Sequence, residues 1–147
     1  MTNTIKTLAL ATCLVTASVW GADAGSATNA KDALRNKLRQ VEQNAMEVSN
    51  LAKQKTASAD AVRAEAEELA AAIKDLRAFV AENAGAMNLT DPQRKFMVET
   101  AAQTMEIIVD NKLRLLSESD YRKNRGVIRG KAQSVISRVK MIEKNIS

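Results

Sequence analysis

A chain of 147 residues with 46% hydrophobic and 27% charged residues has the composition of a single globular domain rather than a disordered segment. It contains no histidine, one cysteine (Cys13), one proline (Pro92) and 3% aromatics, and its formal net charge is +5. Those absences exclude haem attachment through C-x-x-C-H, the Glu-x-x-His di-iron pattern, histidine-containing zinc sites and serine–histidine catalysis.

Residues 1–24 read as a secretory signal peptide. Lys6 supplies the positive start, residues 8–19 are an apolar run, and Ala22, Asp23 and Ala24 form a small-residue cleavage signal before Gly25. The run is shorter than the roughly 20 residues a bilayer-spanning helix needs. The expectation is therefore an exported, periplasmic protein, with a form anchored in the membrane by an uncleaved signal as the alternative. Cleavage after Ala24 takes 24 residues from 147 and leaves 123, without Cys13 or Trp20. Such a chain has no disulfide to rely on and must be held by packing.

Residues 25–30 are expected to be a flexible lead-in, with Asn29 capping the first helix and residues 31–147 forming one helical domain. Leu34, Leu38, Val41, Ala45, Val48 and Ala52 recur at alternating four- and three-residue intervals, which is a heptad seam. Val62, Ala66, Leu69, Ile73, Leu76 and Val80 repeat the pattern. Between them, Ser58 can cap a new helix with Asp60 in its first turn, although the two seams are also in phase across Lys55 and Ala59. Gly85 is placed to close the second helix in a left-handed conformation. Asp91 followed by Pro92 is a strong start for a third.

The third segment has a broader apolar set, from Phe96 and Val98 through Ala101, Met105, Ile108 and Val109 to Leu113 and Leu116. Ser117, Glu118, Ser119 and Asp120 resemble a capping box that restarts the chain as a fourth helix. That helix carries Tyr121, Ile128, Ala132, Val135, Ile136, Val139, Ile142 and Ile146 on one face. No two-residue alternation typical of strands occurs. The pattern predicts an all-α antiparallel bundle of four helices of about 25 residues, with one long two-helix coiled-coil hairpin as the alternative.

The chemistry available to this bundle is narrow. Glu99, Gln103, Glu106 and Asp110 fall on one helical stripe, and Glu65, Glu67 and Glu68 cluster in the second helix. Both sets read as solvated faces of amphipathic helices. No glycine-rich phosphate loop or nucleophile elbow is present, and no catalytic, metal or cofactor-binding residue is assigned, so the expectation is a non-enzyme without a cofactor. Gly126 and Gly130 form G-x-x-x-G, but Arg125, Arg129 and Lys131 surround it, so it reads as a loosened or kinked helix start.

Charge is the most informative feature that remains. Residues 31–57 hold six basic and three acidic side chains, whereas residues 58–83 hold three and six. Residues 121–147 carry Arg122, Lys123, Arg125, Arg129, Lys131, Arg138, Lys140 and Lys144 against Glu143 alone. Both architectures place the first and last segments side by side, which predicts a basic side able to contact an anionic envelope surface. Nucleic acid is disfavoured as a ligand because few aromatics are available to stack on bases. The sequence thus points to an exported interaction or scaffold protein with a protein partner or self-association, acting through its heptad seams and basic last helix. The first seam, narrow and rich in alanine, is expected to leave apolar area for a partner. Binding of anionic lipid or envelope polymer is the alternative.

Overall fold

The computed structural model describes residues 23–87 and 89–146, which form four helices: α1 (Asp23–Leu51), α2 (Ala59–Asn83), α3 (Pro92–Lys112) and α4 (Glu118–Ile146). Helix α1 packs on α2 and α4, and α3 packs on the same two, while α1 and α3 lie on a diagonal without contact. Across the other diagonal α2 and α4 approach each other. This is an antiparallel bundle in which each helix neighbours the next and the last returns beside the first. The two long helices of the hairpin alternative do not form, because the chain breaks at 52–58 and again at 113–117.

Local chemistry accounts for the breaks. The Ala61 N–H donates to Ser58 Oγ at 3.2 Å, and the Gln93 N–H donates to Asp91 Oδ1 at 2.9 Å ahead of Pro92. At the start of α4 the Asp120 N–H donates to Ser117 Oγ at 3.1 Å. Each cap satisfies a donor that the first turn leaves without a helical acceptor. The Asp120 carboxylate takes the Ser117 hydroxyl rather than its backbone N–H, so only half of the reciprocal box forms.

Two boundaries differ from expectation. Helix α1 already includes the lead-in at 25–30 and starts ahead of the Asn29 cap. Ala24, Ala27 and Ala30 favour helix strongly, and Ala30 lies against the core, so nothing in the sequence compels a start at Asn29. The leader expected at 1–24 lies, up to residue 22, outside the described residues. Gly85 does not take a left-handed conformation. The end of α2 unwinds instead through Met87 N–H to Asn83 O and Leu89 N–H to Ala84 O, while the Asn83 amide caps the Phe79 carbonyl at 3.0 Å. With those carbonyls satisfied, no reversal at glycine is needed.

The seams meet in one core. Leu34, Leu38, Val41, Leu69, Ile73, Leu76, Val135, Val139 and Ile142 are all fully buried. Both heptad seams are therefore used inside the monomer. Among the described side chains of α1, Met46 is the only large hydrophobic that is exposed, in place of the spare apolar area expected there. Other exposed apolar side chains lie on α3 (Phe96 64%, Ile107 53%), in the turn after it (Leu115 75%) and on α4 (Val127 56%). Phe96 thus leaves the core face assigned to it: α3 buries the ridge Val98–Ala101–Met105–Val109, and Phe96 falls almost opposite.

Candidate contact surface

Apart from Tyr121, the only buried side chain with a polar group among the described residues is Ser49, whose hydroxyl accepts from Gln133 Nε2 at 3.3 Å. This bond and two others fix how α4 sits on α1. Tyr121, 1% exposed, directs its hydroxyl at the carbonyls of Leu51 (3.1 Å), the last residue of α1, and of Gln54 (3.4 Å) in the turn that follows. Arg125 Nη1 donates to the same Gln54 carbonyl at 3.3 Å, and its guanidinium lies 5.6 Å from the Tyr121 ring centre. A kink at Asn124 (φ −121°, ψ 22°) separates this first turn and a half from the straight remainder of α4.

These bonds define the flank of α4 that faces α1, and helical phase places Arg129, Lys140 and Lys144 along it. Arg122 begins the row, its Nε 3.1 Å from Glu118 Oε1. From α1, Arg35 and Arg39 line a cleft of about 290 Å³ with Glu143 and Ile146. At the opposite end a cleft of about 390 Å³ is lined by Lys55, Thr56, Ser58, Tyr121, Arg122 and Arg125, among others. Glu42 and Glu143 are acidic residues set among these cations. Lys131 and Arg138, both half-buried, fall on the other flank of α4, toward α3, and Lys123 is exposed beyond the kink. Seven of the eight basic residues singled out in the sequence thus divide between two sides of one helix, and Lys123 lies on neither.

The acidic stripe has a different setting. Glu106 pairs with Arg77 of α2, and Asp110 lies 2.8 Å from Arg114, which also lies 2.8 Å from Glu67. Glu67 and then Asp110 hold the Arg114 guanidinium firmly protonated. Glu99 sits 3.9 Å from Lys95. The stripe is therefore a row of ion pairs along the α2–α3 seam, and such exposed pairs contribute little to stability, typically about 0–1 kcal/mol each. Glu65, on the α1 side of α2, behaves differently. Burial raises its pKa above the ordinary carboxylate value, and the neighbouring Glu47 and Glu68 carboxylates raise it further.

Sequence reasoning missed the role of Glu118. The Ala59 N–H donates to Glu118 Oε2 at 2.9 Å, so a residue of α4 caps the start of α2. That backbone bond, followed by Arg122, holds the Glu118 carboxyl below the usual range. No local signal announces a cap supplied from 59 positions away. Tyr121 had a usable signal: the sole tyrosine, beside a helix start, was available to tie off another helix end.

Among the described residues there is no group of three metal-ligating side chains, and no helix is long and apolar enough to cross a membrane. The fold defines the protein as a four-helix antiparallel bundle. No family model, curated protein or solved structure matches the chain.

Proposed function

We propose that the protein is an exported, non-catalytic contact protein of the cell envelope, whose main surface is the cationic side formed by α1 and α4. The observation that carries this reading is the pairing of charges. Arg63, Arg77, Arg94, Lys95 and Arg114 of α2, α3 and the turn after α3 each have a carboxylate within 4.0 Å. Arg39, Lys53, Arg129, Lys140 and Lys144 have none among the described residues; of the other cations of α1 and α4, Arg35, Lys37 and Arg122 are paired, and Lys74 of α2 and Lys112 of α3 are unpaired. Cations left unneutralised along one side of a rigid bundle suit a repeating anion, either the phosphates of lipid headgroups or the anionic groups of an envelope polymer. The leader reading of residues 1–24 supports export, and cleavage after Ala24 is part of the proposal. An uncleaved leader would instead tether the same surface to the membrane.

The test uses the protein without residues 1–24 and vesicles containing phosphatidylglycerol, with phosphatidylcholine vesicles as control. Binding should fall steeply with salt. The triple variant Arg129→Gln/Lys140→Gln/Lys144→Gln should bind on the order of 100-fold more weakly, at about 1 kcal/mol per cation near a charged surface. Purified envelope polymer added as competitor separates the two anion sources. Absence of binding to both at low salt refutes the proposal.

A further inference from the structure

The cleft beside the turn after α1 differs from the rest of the cationic side. Its volume of about 390 Å³ lies within the range of about 300–1,000 Å³ typical of small-molecule sites. Lys55, Thr56 and Ser58 line it from the turn, and Glu118, Arg122 and Arg125 line it from the start of α4, where the helix kinks at Asn124. Arg125 is half-buried and held in place. Its Nη1 donates to the Gln54 carbonyl, and its guanidinium lies against the ring of Tyr121, itself tied to the Leu51 carbonyl. A guanidinium has several N–H donors, and the others of Arg125 have no acceptor among the described residues. Neither Arg125 nor Lys55 has a carboxylate within 4.0 Å among the described residues. Glu118, the carboxylate of the cleft, is already engaged by the Ala59 N–H and by Arg122 Nε. The first N–H of α2 is therefore spent and Arg122 neutralised, which leaves Lys55 and Arg125 as two cations without a counter-charge. The Ser58 hydroxyl accepts from the Ala61 N–H and keeps its proton to donate.

We infer that this cleft is a discrete binding site for one phosphomonoester group, held between Lys55 and Arg125 with the Thr56 and Ser58 hydroxyls donating to it. The inference rests on the reading of the α1–α4 side as an anion surface and narrows it to one pocket and one ligand class. Charge selects the class. A phosphomonoester carries about −1.5 to −2 at neutral pH, which matches two uncompensated cations, whereas a carboxylate or a phosphodiester carries a single charge. Shape agrees, because tetrahedrally placed oxygens can accept from a guanidinium fork, an ammonium and hydroxyls together. Preorganisation sets the cleft apart from Arg129, Lys140 and Lys144, which are exposed and have no hydrogen bond among the described residues to hold them. Those three attract an anion without positioning it, while Arg125 is already fixed and loses little freedom on binding. Apart from Ala57 and the buried Tyr121 the lining is polar, so the remainder of the ligand is polar or stays outside. The headgroup of a phosphomonoester lipid and a free phosphate ester share this chemistry.

Amide NMR shifts of the protein without residues 1–24 test this at low salt. The ligands are inorganic phosphate, acetate, dimethyl phosphate, and dihexanoyl phosphatidic acid below its micelle concentration. Inorganic phosphate should move the amides of residues 54–59 and 118–126, with Kd on the order of 1 mM. Acetate and dimethyl phosphate should bind about tenfold more weakly. Lys55→Gln, at an exposed position with no partner to lose among the described residues, should weaken phosphate binding about tenfold and leave the thermal melt unchanged. Arg125→Lys keeps the charge without the fork and should fall between wild type and Arg125→Gln. Glu118→Gln keeps an oxygen for the Ala59 N–H and removes the negative charge, so it should tighten binding severalfold. Phosphatidic acid bound more tightly than inorganic phosphate assigns the site to a lipid headgroup; binding as weak or weaker assigns it to a free phosphate ester. The inference is overturned by unmoved amides at about 20 mM phosphate, by shifts spread over residues 129–144 instead, or by a Lys55→Gln variant that binds as wild type does. The two readings fail separately. A protein that binds phosphate in the cleft but neither vesicles nor envelope polymer refutes the envelope contact alone, and one that binds vesicles while these amides ignore phosphate refutes the cleft alone.

Discussion

Removing one oxygen atom tests how the bundle is closed. Tyr121→Phe deletes the hydroxyl directed at the Leu51 and Gln54 carbonyls but keeps a ring that is 1% exposed and lies under Arg125. The hydroxyl has a single proton, so the two carbonyls share one bond, and the loss is that of one hydrogen bond to a neutral acceptor. A net loss of about 1 kcal/mol is expected. For a chain of this size that lowers Tm by about 3–5 °C. Tyr121→Ala removes the ring as well and leaves a cavity, so its cost should be about 3–5 kcal/mol. Urea unfolding followed by helical circular dichroism separates the two, provided the dependence on urea is the same in all three proteins. A phenylalanine variant as stable as wild type would show that the hydroxyl does not hold the end of α1. A phenylalanine variant as damaged as the alanine one would show that the ring is not packed as described.

Three further outcomes follow from the same structure. Glu65 has its pKa raised in the folded state, so it destabilises the fold at neutral pH, and this penalty disappears as pH falls through its raised pKa toward the ordinary carboxylate range. Glu65→Gln should therefore be more stable than wild type at pH 7, with the difference vanishing below about pH 4 in urea titrations across pH. Glu118 has its pKa lowered, so its contribution is present at neutral pH and is lost as pH falls through that lowered value; Glu118→Ala should be less stable at pH 7 and approach wild type only in strong acid. Gly130→Ala should stabilise α4 by about 1 kcal/mol, measured by thermal unfolding, because a Cβ there meets nothing within 4 Å and the residue lies inside the helix.

The parts of this fold legible in the sequence are those set by neighbours along the chain. Ser58, Asp91 with Pro92, and Ser117 cap as read, because each bond closes within three residues. The seams are legible for a similar reason: a repeat of fours and threes puts residues on one face whatever the partner helix is. Phe96 was misplaced because it precedes the periodic run by a register of two, and only the position of α2 and α4 decides which ridge of α3 turns inward. Gly85 takes no left-handed turn because the carbonyls at the end of α2 find N–H donors in an ordinary turn. The basic residues of α4 could be counted but not divided, since the division depends on Ser49 and the carbonyls of the 51–54 segment reaching across from α1.

The contact of α1 with α4 has a consequence for the order in which the molecule can assemble. During synthesis α1 and α2 emerge first, and they can pair as soon as both exist. The side of α1 that packs on α4 nevertheless stays wet until residues 118–146 arrive. The start of α2 is likewise left without the Glu118 cap, and the end of α1 without Tyr121. Contacts of such wide separation delay folding, because the intervening chain must be ordered before they form. Residues 118–146 lock the far side of α1, so that side of a nascent chain stays open until they have been made.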